Sequence, residues 1–259
     1  MSGPLLLERH DGLAVLTLAA PPLNLFDEMM MGALGDAVAE LAAAPPRALL
    51  IRAQGKVVSG GVDVGRIFDG IDADGAERLW QSWFEVIHAI EELPLPTVFA
   101  AHALCLTAAF EVALACDLLV AAQSARFGLV EKVVGLTPSM GGPQRLAARA
   151  GSARAKELVM TGDLYDAETL MGWGVVNRVL PDDGFEQASL AFARALADGP
   201  TRAHAATKTL IGTAVSDGVR AADTRTPAVS GALFATEDLR GAVRSFIDDG
   251  PGRARFRGL

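Results

Sequence analysis

The chain is poor in the residues that would mark several common function classes. Of its 259 residues only two are cysteine and four are histidine. Cys105 and Cys116 are too few for a disulfide framework, and both sit in one apolar run where free thiols are commonly buried, so a reducing cytoplasmic setting is expected. His10, His88, His102 and His204 are scattered, and neither cysteine has a partner at ligand spacing, so no zinc signature is present. Positive charge is also short, with 23 Lys and Arg against 31 Asp and Glu and a formal net charge of −8. A nucleic acid or an anionic membrane surface would meet net repulsion. The opening MSGPLLLERH lacks a basic stretch followed by a long apolar one, so a secretory signal is not expected. The glycine cluster GKVVSGGVDVG fits neither the dinucleotide fingerprint nor the phosphate loop, and no serine lies in a G-x-S-x-G elbow.

Apolar residues are plentiful at 51%, and a chain of this length buries roughly 75% of the surface its unfolded form exposes. LAVLTL and RALLIRA, bounded by Gly or Pro, read as buried strands. Between them, residues 27–44 carry apolar positions at helical spacing, with Asp27 as N-cap and Pro45-Pro46 as the stop. Residues 74–93 repeat Leu79, Trp83, Val86, Ile87 and Ile90 on one side of a second helix. PTVFAAHAL reads as a strand, residues 107–115 as a short helix, and DLLVAA as another strand. GGPQRLAARA and residues 153–160 read as helices, VVNRVL as a strand, and the chain from residue 183 as mostly helical. Alternating β and α elements with a helical C-terminal extension make an α/β fold.

Within the run LTAAFEVALACDLLVAA stands one glutamate, Glu111. A membrane span over residues 100–122 is rejected, because Glu111 and Asp117 would each cost about 2.5–3.5 kcal/mol near the bilayer centre. A buried carboxyl either finds a partner or shifts its pKa, so Glu111 either caps its helix or pairs with a core arginine, or it is chemically active. A helix starting near Thr107 leaves first-turn amides unpaired, that of Ala108 among them, with Glu111 three residues on and on the same side.

PPLNLFDEMM, KVVSGGVDV, HALCLTAAFEVALACDLLVAA, ARFGLVEKVVGLTPSMGGPQRL and the tail FRGL occur in an order and at separations that resemble the crotonase superfamily of enoyl-CoA hydratases and isomerases. The resemblance covers nearly the whole chain. It implies a spiral of ββα units over residues 1–195 and a C-terminal helical region, 196–259, that assembles homotrimers, often paired as hexamers. It implies a cytoplasmic enzyme acting on acyl-CoA with no metal or redox cofactor, coenzyme A being part of the substrate. It also implies no nucleic-acid or membrane partner. Carried over by motif, the backbone amides of Val62 and Ala108 would form an oxyanion hole for the thioester carbonyl, Gly60, Asp63 and Val64 would help bind the substrate, and Glu111 and Glu131 would be catalytic. The implied reaction is reversible syn addition of water to a 2-enoyl-CoA, with Glu131 as proton donor and Glu111 as water-orienting base. An enoyl-CoA isomerase and a non-catalytic acyl-CoA binder are the alternatives.

Three departures stand out against the family pattern: His102-Ala103 in place of Asn-Gly, Thr107-Ala108-Ala109 in place of a glycine triplet, and Ser139 in place of a glycine. The added Cβ atoms are expected to narrow the site or shift the Ala108 amide. Trp80, Trp83 and Phe84 read as core or subunit contact, Asp117 as structural and His102 as a satisfied core histidine.

Overall fold

The structure is a computed structural model and describes residues 3–259. Among the described residues nine strands form two sheets. The strands are β1 (Leu5–His10), β2 (Leu13–Leu18), β3 (Ala48–Ala53), β4 (Thr97–Ala101), β5 (Cys105–Leu106), β6 (Leu118–Ala122), β7 (Arg126–Gly128), β8 (Tyr165–Asp166) and β9 (Arg178–Leu180). The main sheet has the order β1-β2-β3-β4-β6-β9, and the small one β5-β7-β8. Only β1 runs antiparallel to its neighbour in the main sheet. Parallel strands are covered on both faces, which is why β2 has six buried residues in succession and LAVLTL shows no alternation.

The helices are α1 (Glu28–Ala43), α2 (Val64–Ile67), α3 (Ala73–Glu92), α4 (Thr107–Ala115), α5 (Gly142–Ala150), α6 (Ser152–Thr161), α7 (Ala167–Gly172), α8 (Phe185–Ala197), α9 (Thr201–Asp217), α10 (Val219–Leu233) and α11 (Glu237–Asp249). Helix α1 starts where its sequence says. The Asp27 carboxylate accepts the Met30 amide at 2.8 Å, and Met30, Leu34, Val38 and Leu41 bury one stripe. Helix α3 starts one residue earlier than the sequence reading, capped by Asp72, whose carboxylate accepts the Gly75 amide at 2.8 Å.

PTVFAAHAL (96–104) holds one strand, β4, which stops short at Ala101. The chain leaves the main sheet after Ala101 and re-enters the small sheet at Cys105. His102 sits at that corner, half-buried, with Nε2 3.0 Å from the Gly55 carbonyl. It is a partnered corner residue, not a core one. Asp117 fits its structural reading, accepting the Thr97 amide and hydroxyl at 2.8 Å each and the Lys208 ammonium at 3.0 Å. That pair ties α9 to the start of β4. Helix α8 packs on β2, β3 and β9 and ends two residues beyond position 195, while α9 and α10 pack on each other. The terminal segment folds back onto α11, where Asp238 accepts the Arg257 and Gly258 amides at 2.7 Å each. Among the described residues no helix is long and apolar enough to cross a membrane.

Candidate active site

Helix α4 is the most deeply set helix, with all nine residues buried. A short, apolar helix of small residues can lie between the two sheets, and the side chain that comes with it at the fifth position is Glu111. The position before the helix is Leu106, which offers no capping oxygen. Among the described residues the Ala108 amide consequently has no hydrogen-bond partner. The loop after β3 shows the same pattern. Gly61 donates to the Ser59 hydroxyl at 2.9 Å and Asp63 to the Phe26 carbonyl at 2.9 Å, while the Val62 amide between them has no partner among the described residues. A buried amide without a partner, as at Ala108, is rare enough to need a reason.

The two segments touch. Gly61 has φ +104°, and a Cβ there would collide with the Thr107 hydroxyl, so close approach and left-handed backbone both demand glycine. Thr107 itself has φ +45°, an outlier for a β-branched residue, and its hydroxyl is buried without a partner. Such a backbone costs on the order of 1–3 kcal/mol. Here the departure from glycine has a physical consequence. Thr107 lines the pocket while Ala108, 0% exposed, lies behind it.

One pocket gathers Gly60, Val62, Val64, Glu111 and Glu131. Asp63 plays a different part, its carboxylate capping α2 through the Arg66 amide at 3.1 Å. Trp80 forms a wall of the pocket with Phe68, edge to face at 5.8 Å, and Trp83 stands behind it in the core at 5.5 Å. The aromatic cluster is therefore divided: Trp83 is core as expected, Trp80 is not, and Phe84 stacks on His88.

Glu111 is 2% exposed, and its Oε1 accepts the Met140 amide at 2.9 Å and the Gly142 amide at 2.8 Å. It neither caps its own helix nor forms a direct ion pair. Burial raises its pKa to about 7, against the opposing pull of the Gly142 and Met140 amides and the positive charge of Arg145. Glu131 opens a 3-10 helix, Glu131–Val134, and its Oε2 is buried with no partner. Burial and then the neighbouring Glu111 charge raise it to about 8, while a backbone hydrogen bond opposes the rise. Two acids facing one pocket with separated proton affinities can hold a base and a proton donor at the same time.

The turn that grips Glu111 was not singled out from the sequence. Its signal was the doublet Gly141-Gly142: Gly141 has φ +89°, and a Cβ on Gly142 would press on Glu111 Oε1 at 2.9 Å. Ser139, at the same turn, spends its hydroxyl on the Thr137 carbonyl at 2.8 Å. Among the described residues no group of three or more His, Cys, Asp and Glu is placed to hold a metal ion.

Comparison with known proteins finds similarity along most of the chain. The profile of the family described as enoyl-CoA hydratase/isomerase matches residues 8–253. The Mycobacterium tuberculosis protein named "Probable enoyl-CoA hydratase EchA17" is 36% identical over 200 residues, 76% of each chain. A crystal structure of an enoyl-CoA hydratase from Mycobacterium smegmatis is similar with a TM-score of 0.90 at 28% identity, over 95% of this chain and 97% of that one. One from Bacillus anthracis shares the fold at a TM-score of 0.91 and 22% identity, over 99% of this chain and 100% of that one.

Proposed function

We propose that this chain, which belongs to the enoyl-CoA hydratase/isomerase family, adds water reversibly across the double bond of 2-enoyl-CoA thioesters. The observation that carries the reading is the pairing of two buried acids of raised proton affinity, Glu111 and Glu131, in one pocket beside two amides that have no partner among the described residues. In this reading the thioester oxygen takes the Val62 and Ala108 N–H groups. As C3 is attacked, electron density moves through the conjugated system onto that oxygen, and each such donor contributes about 2.7–4 kcal/mol to lowering the barrier.

Ionised Glu111 removes a proton from water, whose oxygen bonds to C3 on the face turned to both acids. Protonated Glu131 gives its proton to C2 as the enolate collapses. The product is the 3-hydroxyacyl thioester, and the two carboxyls have exchanged protonation states, which one proton transfer through solvent resets. Addition from one face is syn. Every charge is carried by the substrate oxygen and the two carboxyls, so the proposed cycle calls on no metal or redox cofactor. Thr107 stands in front of Ala108, so the thioester is expected to displace the Thr107 side chain slightly on binding.

The apolar residues that α9, α10 and α11 leave exposed, Ile211, Val215, Val219, Phe246 and Ile247, support assembly as a homotrimer or a pair of trimers. The net charge of −8 and the two buried free thiols support a cytoplasmic site of action.

The test is the ultraviolet band of the conjugated thioester. Crotonyl-CoA and longer homologues should lose it on mixing with the protein. Appearance of that band from a 3-enoyl-CoA, with no loss from 2-enoyl substrates, would assign an isomerase, and binding without change in either would assign a binder. Replacing Glu131 by Gln should lower turnover by about 10²-fold or more with acyl-CoA affinity nearly intact.

A further inference from the structure

Glu111 is held by the turn 140–142, and something must hold that turn. Gly141, at its centre, is covered by the Arg145 guanidinium, so closely that a Cβ on Gly141 would collide with Nη1, and Nη1 also lies 3.4 Å from the Gly141 carbonyl. Arg145 is itself fixed from the far side. Its Nε donates to Glu91 Oε1 at 2.7 Å and its Nη2 to Glu91 Oε2, the forked pairing that a guanidinium and a carboxylate form best. The Arg145 side chain is 15% exposed, so the guanidinium is mostly withdrawn from solvent, while Glu91 at 38% reaches it.

We infer that Arg145, anchored to Glu91, is a positioning residue for Glu111: its guanidinium braces the Met140–Gly142 turn whose two amides fix the carboxylate, and keeps a positive charge behind it. The chain of contacts runs from Glu91 on α3 through Arg145 on α5 to the Gly141 backbone, and from its two flanking amides to Glu111 on α4. Surface charge cannot explain the arrangement, because a pair serving only to join α3 to α5 has no need to lie against Gly141. The inference rests on the reading of Glu111 as a base.

The other charged groups around Glu111 leave this role to Arg145. Glu131 on the 3-10 helix faces it and opposes its ionisation. Cys105 on β5 is a buried neutral thiol, and Arg126 on β7 turns to the Ser124 and Ala125 carbonyls. Arg149, on the same helix as Arg145, is engaged with the Leu114 and Val175 carbonyls. Strand β6 carries no ionisable residue. On α3, Glu91 is paired with Arg145, and His88 packs against the Phe84 ring.

The experiment compares Arg145→Met, Arg145→Lys and Glu91→Gln by the pH dependence of kcat/KM for crotonyl-CoA. Alongside it, the Glu111 carboxyl is titrated by carbon NMR of glutamate-labelled protein, assigned with Glu111→Gln. Loss of the charge should move the Glu111 titration and the acid limb of the profile upward by about one pH unit or more. Turnover at pH 7 should fall by on the order of tenfold, and the maximum of the bell should drop and move to higher pH, because the alkaline limb set by Glu131 stays where it is. Arg145→Lys should keep the limb in place at reduced height. Glu91→Gln should not raise it, since it removes a negative charge behind the arginine. A uniform loss at every pH with the Glu111 titration unmoved in Arg145→Met, or an equal rise in Glu91→Gln, overturns the inference. If wild type hydrates nothing while Arg145→Met still shifts the titration, the hydratase reading fails and the role of Arg145 stands.

Discussion

Glu131 keeps its proton in the folded protein at a pH where the unfolded chain has lost it, and this difference is measurable without any substrate. Its pKa rises from 4.5 to about 8 on folding. Because the folded state binds the extra proton, stability is greatest below the unfolded value, declines as pH climbs toward about 8, and is flat above. Each unit corresponds to about 1.4 kcal/mol, so three and a half units bound the effect at roughly 5 kcal/mol. The true figure is smaller. Glu111 shares the repulsion, and Glu131 lies at the edge of a pocket open to water, which brings the expected penalty at pH 8 to about 1–3 kcal/mol. Glu131→Gln removes the titration. The variant should therefore melt above wild type at pH 8 by roughly 2–12 °C, at about 2–4 °C per kcal/mol for a chain near this size. The gap should shrink steadily toward pH 5. Calorimetry or circular dichroism at matched protein concentration across that range reads it. A gap that does not change with pH would refute the account of why Glu131 is protonated.

Three further outcomes follow from the same geometry. The hydration profile should be bell-shaped, with apparent limbs near pH 7 and 8 that belong to the Glu111/Glu131 pair; a profile flat from pH 5 to 9 would contradict the two-acid assignment. Thr107→Gly relieves a left-handed threonine and an unpartnered buried hydroxyl at once. It should raise stability by about 1 kcal/mol after the entropy cost of glycine, and lower KM by opening the path to Ala108, as denaturant titration and steady-state kinetics would show. Asp27→Ala, which deletes the α1 cap and the ion pair with Arg66, should cost about 1 kcal/mol or somewhat more in denaturant titration.

What the sequence disclosed depended on how much each element is governed by its own residues. Helices α1 and α4 were legible nearly to the residue, because an Asp cap, a Pro-Pro stop and an apolar run set their limits locally. Strand β1 was not, since LLLERH is an edge strand whose last three residues are exposed and it shows no clean alternation. The break between β4 and β5 was hidden because HAL contains neither Gly nor Pro, and the turn at His102 is fixed instead by its contact with the Gly55 carbonyl. At the site, motif resemblance placed Gly60, Val62, Asp63, Val64, Ala108, Glu111 and Glu131 in one group; all but Asp63 and Ala108 line one pocket. It did not foresee that Thr107 would stand in front of Ala108, because side-chain direction at a left-handed residue cannot be read from composition or spacing. Nor did spacing reveal that the turn 140–142 would reach back across roughly thirty positions to hold Glu111, a contact made only by tertiary packing.

The most direct measurement is a crystal structure of the protein with a bound, non-reacting acyl-CoA. The account predicts the thioester oxygen about 3 Å from both the Val62 and the Ala108 nitrogens, with C2 and C3 facing Glu131 and Glu111. An acyl-CoA whose carbonyl points to neither amide, or a thioester kept out of the pocket by the Thr107 side chain, would contradict it.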